Sequence, residues 1–127
     1  MKQKRLSELE QLVMDFVWSN PGCSVASCQE ALASTRPMKE STVRTLFQRL
    51  EQKGYVTHEV EGRTYVYRAS RPRTNVAASA VRQIIDKFCG GSLEELLVGM
   101  VDNDIVSRKE LQDLARKVAA RKRESAQ

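Results

Sequence analysis

A chain of 127 residues, 41% hydrophobic and 29% charged, is long enough for one principal core and has globular rather than disordered composition. Its formal charge is +5, and the stretch from Arg36 to Arg73, with nine Lys/Arg against four Glu, carries the whole excess; such a local concentration favours a polyanionic partner. Cys23, Cys28 and Cys89 lack the spacing of a disulfide framework, acidic residues interrupt the apolar ones after the basic start, and no apolar run reaches membrane-spanning length, so a cytoplasmic protein with no signal peptide and no membrane insertion is expected.

Ser7 and Glu10 have capping-box spacing and predict the start of a helix in which Leu9, Leu12, Val13, Phe16 and Val17 share a face. Asn20-Pro21-Gly22 ends it. Ser24 predicts the cap of a second, shorter helix turning Val25, Cys28 and Leu32 inward and ending before Arg36-Pro37. A third helix is expected to open at Ser41 or Thr42, to bury Val43, Leu46, Phe47 and Leu50, and to stop at Gly54.

From Tyr55 the period changes to two. Residues 55–60 and 64–68 are β-branched and aromatic around Glu61-Gly62-Arg63, which predicts a hairpin with Tyr65 and Tyr67 packed on one sheet face. Residues 69–75, containing Pro72, read as a linker. Helical stripes follow: Val81, Ile84, Ile85 and Phe88; then Leu93, Leu96, Leu97, Met100 and Val101 behind Ser92; then Leu111, Leu114 and Val118 behind a second capping box, Ser107 and Glu110. Three such helices in about fifty residues are marginal alone, so these stripes are expected to pair between subunits of a homodimer.

The expected fold is mainly α with a small β-hairpin wing: a winged helix-turn-helix over residues 1–73 and a helical dimerisation domain over residues 74–127. A helix fits the major groove of B-DNA and presents its unburied face to base edges. Here that face comprises Thr42, Arg44, Thr45, Gln48 and Arg49; near the helix start the Ser41 and Thr42 hydroxyls and the free N–H groups also favour phosphate, and Lys39 lies just before them. Arg44 suits guanine, Gln48 adenine, and the Thr45 methyl thymine. Arg63 at the hairpin tip is placed for a phosphate or the minor groove, while Lys39, Lys53, Arg68, Arg71 and Arg73 add general attraction. His58 and the cysteines have no metal-ligand spacing, and no nucleophile motif or phosphate loop is present, so neither a metal, a cofactor nor an enzymatic activity is expected. The competing reading is a winged-helix module that binds protein through its third helix or hairpin.

The segment Leu6 to Trp18, the Ser41-Thr42-Val43 opening that continues to Arg49-Leu50-Glu51-Gln52-Lys53-Gly54, and the return strand Arg63 to Arg68 resemble, in that order, the penicillinase-repressor family of the BlaI/MecI/CopY type. The resemblance runs through nearly the whole chain. It implies a dimer on a dyad-symmetric double-stranded DNA operator overlapping a promoter, with repression by blocking transcription and half-sites about one helical turn apart. It also implies a sensor-linked protease acting in the segment Leu97 to Asp104, although Gly99 and Met100 stand where such repressors have an Asn-Phe pair. The copper-responsive branch carries a C-terminal cysteine cluster, and nothing like it follows Cys89.

Overall fold

Ser7 and Glu10 make the reciprocal exchange that their spacing predicts: Glu10 N–H donates to Ser7 Oγ at 3.2 Å, and Ser7 N–H donates to Glu10 Oε1 at 2.8 Å. They open α1 (Glu8–Ser19) in the structure, a computed structural model that describes residues 4–125. Ser24 and Ser27 form a second box at the start of α2 (Val25–Leu32).

The third helix, α3 (Glu40–Gln52), begins one to two residues earlier than expected, and neither Ser41 nor Thr42 caps it. Lys39 holds the extended cap backbone, its carbonyl accepting from the N–H groups of Thr42 and Val43. Glu40 then occupies the first turn, where a negative charge is favoured by the helix dipole. The other end is a Schellman motif: Tyr55 N–H donates to Leu50 C=O and Gly54 N–H to Glu51 C=O. Gly54 has φ +84°, which a side chain would strain.

Strands β1 (Val56–Glu61) and β2 (Thr64–Ala69) pair antiparallel, His58 opposite Tyr67 and Val60 opposite Tyr65. Gly62, with φ +64°, takes the first position of the two-residue turn, as a type II′ hairpin requires. Cys23 adds a one-residue bridge to Tyr67, so the loop between α1 and α2 is stitched to the wing, a pairing that no alternation in so short a segment signals.

The core joins these pieces. Val13, Met14, Val17, Cys28, Val43, Phe47, Leu50, Val56 and Tyr67 are buried together, with the Phe47 and Tyr67 rings 4.4 Å apart. Full burial of a side chain such as Phe47 is worth roughly 1.5–3 kcal/mol. Tyr65, expected to share this packing, is instead 49% exposed: it has the same parity as Tyr67 but lies nearer the hairpin tip, beyond the helices that cover Tyr67.

The expected linker shrinks to Ser70–Pro72, because α4 (Arg73–Phe88) already includes Arg73–Asn75. Proline is well suited to a helix start, and the Pro72 carbonyl accepts from the N–H groups of Asn75 and Val76. Trp18 Nε1 donates to the Arg71 carbonyl at 3.0 Å, the Arg73 guanidinium lies 5.1 Å from the Trp18 ring centre, and Val76 packs on the core.

The chain divides into two compact units between Ala80 and Val81, inside α4. The second unit continues through α5 (Leu93–Asp102), capped by Ser92, and α6 (Arg108–Ser125), opened by Ser107 and Glu110. Among the described residues of this unit only Ile85 is buried. That removes Ile85 from the exposed stripe expected to meet a second subunit, since its own chain already covers it. Val81, Ile84, Phe88, Leu93, Leu114 and Val118 are exposed, whereas Leu96, Leu97, Met100 and Leu111 are half-buried. Val98 and Ile105 are further exposed apolar residues that the stripe reading missed. Among the described residues, no helix is long and apolar enough to cross a membrane.

Candidate nucleic-acid interface

One side of α3 is committed to the core by Val43, Leu46, Phe47 and Leu50; the remainder carries Ser41, Thr42, Arg44, Thr45, Gln48 and Arg49, all exposed. Lys39 is exposed at the helix start and Arg63 at the hairpin turn. The face is thus polar, rich in donors and backed by a rigid core, the combination that a groove-reading helix needs.

Two of these residues already have local partners. Arg44 Nη2 donates to Glu40 Oε1 at 2.7 Å, but both side chains are about half exposed, and such a pair contributes about 0.3–0.5 kcal/mol. It is weak enough to be exchanged for a guanine edge. The Thr45 hydroxyl donates to the Ser41 carbonyl at 3.0 Å, which occupies its proton and leaves the methyl group as the distinctive contact.

The wing is tied to α3 by a contact that the sequence did not disclose. His58 Nδ1 lies 2.8 Å from both carboxylate oxygens of Glu51. The imidazole is stacked on Tyr65, with centroids 4.2 Å apart and planes 8° from parallel. Seven residues separate Glu51 from His58 across the Gly54 turn, so only the turn geometry brings them together. Tyr67, deeper on the same face, has its phenol pushed up by burial, with Glu51 and Tyr65 acting in the same direction.

Lys53, expected to serve general attraction, has a different task. Its ammonium donates to Glu10 Oε1 at 2.6 Å and to the Arg5 carbonyl at 2.9 Å, and Glu10 is almost fully buried. Arg73 likewise interacts with Asp15 at 3.7 Å, in addition to its place over Trp18.

The described residues contain no group of three His, Cys, Asp or Glu side chains able to hold a metal ion. Cys23 and Cys28 are buried, and burial pushes both thiols up, Cys28 to about 12 with the neighbouring Cys23 adding to the shift. Thiolate is the reactive form. A thiol reagent added to native protein is therefore expected to modify half-buried Cys89 first and to reach Cys23 and Cys28 only after denaturation, as peptide mapping of the alkylated cysteines will report.

Three helices, a short bridge and an antiparallel hairpin, with an exposed polar face on the third helix, define a winged-helix DNA-binding regulator. Residues 6–120 match the family described as Penicillinase repressor, and the chain belongs to that family, whose members are transcriptional repressors and not enzymes. It is 25% identical over 113 residues to the penicillinase repressor of Bacillus licheniformis, covering 89% of this chain and 88% of that protein. It is 23% identical over 113 residues to the methicillin resistance regulatory protein MecI of Mammaliicoccus sciuri, covering 89% and 92%. The solution structure of the DNA-binding domain of the repressor BlaI superposes with a TM-score of 0.52 and 27% identity, over 58% of this chain and 90% of that one. A second solution structure, of monomeric Bacillus licheniformis BlaI with the blaP half-operator, gives 0.50 and 27% over the same shares.

Proposed function

We propose that the protein is a homodimeric transcriptional repressor that occupies a dyad-symmetric operator, each protomer laying α3 in a major groove with the wing against the flanking backbone. The observation that carries this reading is the exposed donor-rich face of α3, directly opposite its buried stripe, in the stretch that holds the chain's whole positive excess. The half-operator complex of the similar BlaI domain supports it.

Arg44, Gln48 and Thr45 are the base readers; Lys39, Ser41, Thr42, Arg49 and Arg63 hold the duplex by its phosphates. The exposed apolar residues of the second unit support dimerisation through that unit. A second protomer would remove Phe88, 73% exposed in the single chain, from water. Relief of repression by a sensor-linked protease at Gly99-Met100 would require α5 to open locally first, since both residues lie inside that helix.

Fluorescence anisotropy of the full chain against the DNA upstream of its own gene and a scrambled duplex, across a salt series, tests the function. The expected result is tight, sequence-selective binding with two protomers per site and a steep loss as salt rises. Folded protein that binds neither duplex at low salt would overturn the reading. In the same assay, Arg44→Ala is expected to cost about 1–3 kcal/mol on the cognate site and much less on the scrambled one. Arg63→Ala should weaken both alike, because a phosphate contact carries no sequence information.

A further inference from the structure

The two faces of the wing differ in charge. Alternation places Thr57, Glu59 and Glu61 of β1 on one face and Val56, His58 and Val60 on the other, where Tyr65, Tyr67 and Ala69 of β2 join them. The second face therefore bears no acid of its own, and Glu51, which approaches it from α3, is engaged by His58. Its inner part is buried through Val56 and Tyr67; its outer part, Val60 and Tyr65, is 60% and 49% exposed. An apolar cross-strand pair held open to solvent, on a wing face tied to α3 through the His58–Glu51 contact, is an unfilled contact surface whose own strand residues carry no acid to repel a phosphate; the one carboxylate that approaches it, Glu51 of α3, is turned to His58.

We propose that Tyr65 and Val60 are DNA-contacting residues of the wing and that His58 is the positioning residue that holds the Tyr65 ring for this contact. The phenol hydroxyl donates to a backbone phosphate, and the ring and the Val60 methyls pack on the adjoining sugar. Such contacts strengthen binding without reading sequence. His58 supplies the surface on which the ring lies flat, and Glu51 fixes the imidazole, so the ring's orientation is set from the reading helix itself. The inference deepens the proposed function and rests on it.

The test uses the full chain, the two duplexes described above, one fixed salt concentration and a thermal melt of each variant. Tyr65→Ala is expected to weaken binding to both duplexes by about tenfold, as loss of a hydrogen bond to a charged group implies, with the melting temperature retained because the ring is half exposed. Tyr65→Phe should fall between Tyr65→Ala and the wild type. His58→Ala should reproduce the loss and His58→Phe, which keeps a flat ring under Tyr65, should restore affinity; a merely structural role would show no such rescue. Wild-type-like binding by Tyr65→Ala, or His58→Phe binding as weakly as His58→Ala, overturns this inference alone. A wild type that binds neither duplex overturns the proposed function with it.

Discussion

Replacing Lys53 with methionine is expected to destabilise the protein by about 3–5 kcal/mol, a large share of the stability of a domain this size. The substitution strands Glu10, whose side chain is 2% exposed, without the cation it meets at 2.6 Å. Among the described residues Glu10 is already incompletely satisfied, for its buried Oε2 finds no hydrogen-bond partner there. The 24% exposure of Lys53 moves the expectation toward the lower end, because water can partly replace the ammonium. By contrast, the solvent-exposed Arg44–Glu40, Arg82–Asp86 and Arg116–Asp113 pairs should each contribute about 0–1 kcal/mol. A double variant, Glu10→Leu with Lys53→Met, is expected to recover much of the loss, since an apolar pair of similar volume leaves no buried charge. Urea unfolding checks this through the midpoint at constant slope. A Lys53→Met unfolding free energy within a few tenths of a kcal/mol of wild type would reduce the pair to a surface contact.

The same pair gives stability a pH dependence of known sign. Burial pushes the Glu10 carboxyl up, but the Lys53 hydrogen bond, the Ser7 backbone and hydroxyl, and the Lys53 charge together hold it below the ordinary carboxylate value. A carboxyl with a lower value when folded contributes stability that is present above its unfolded value and is lost as pH falls through the folded one. Acid should therefore weaken the wild type more than Glu10→Gln over that range.

Placing glutamate at both Phe88 and Val118 is expected to produce a folded monomer and to lower affinity for the full operator by about 10²–10⁴-fold. Both side chains are exposed in the single chain, so the substitution leaves the protomer's own packing intact, while burying a carboxylate between subunits is strongly unfavourable. Binding of two linked half-sites exceeds that of one because the second contact is made at high effective concentration; a single half-site should accordingly be bound almost as by wild type. Sedimentation and anisotropy on full and half operators measure the two effects together. A variant that stays dimeric would place the interface on other residues.

Much of this was legible in the sequence because it depends on neighbours three or four residues apart. The capping boxes at Ser7/Glu10 and Ser107/Glu110, the stripe Val43, Leu46, Phe47 and Leu50, the stop at Gly54 and the turn at Gly62 are all local devices, and each appears in the structure where its spacing places it. The exposed face of α3 follows from the same stripe, since the residues proposed to read DNA are those left over when the buried ones are assigned.

What local pattern misled on, or did not reach, depends on distance in space. Parity put Tyr65 with Tyr67, yet how far the helices extend over the hairpin left one ring in water and the other in the core. A count of charges assigned Lys53 to general attraction, whereas the fold carries it to Glu10, 43 residues away. Ile85 belonged to an amphipathic stripe, and only the packing of its own chain buried it. Helical and strand periods by themselves determined the elements, their order and the exposed polar face of α3, because backbone hydrogen bonding and apolar burial act along short stretches. The partners of Glu10, the ring beneath Tyr65 and the side chains left uncovered were decided only by the tertiary structure, because each depends on which distant surfaces the packed elements bring together.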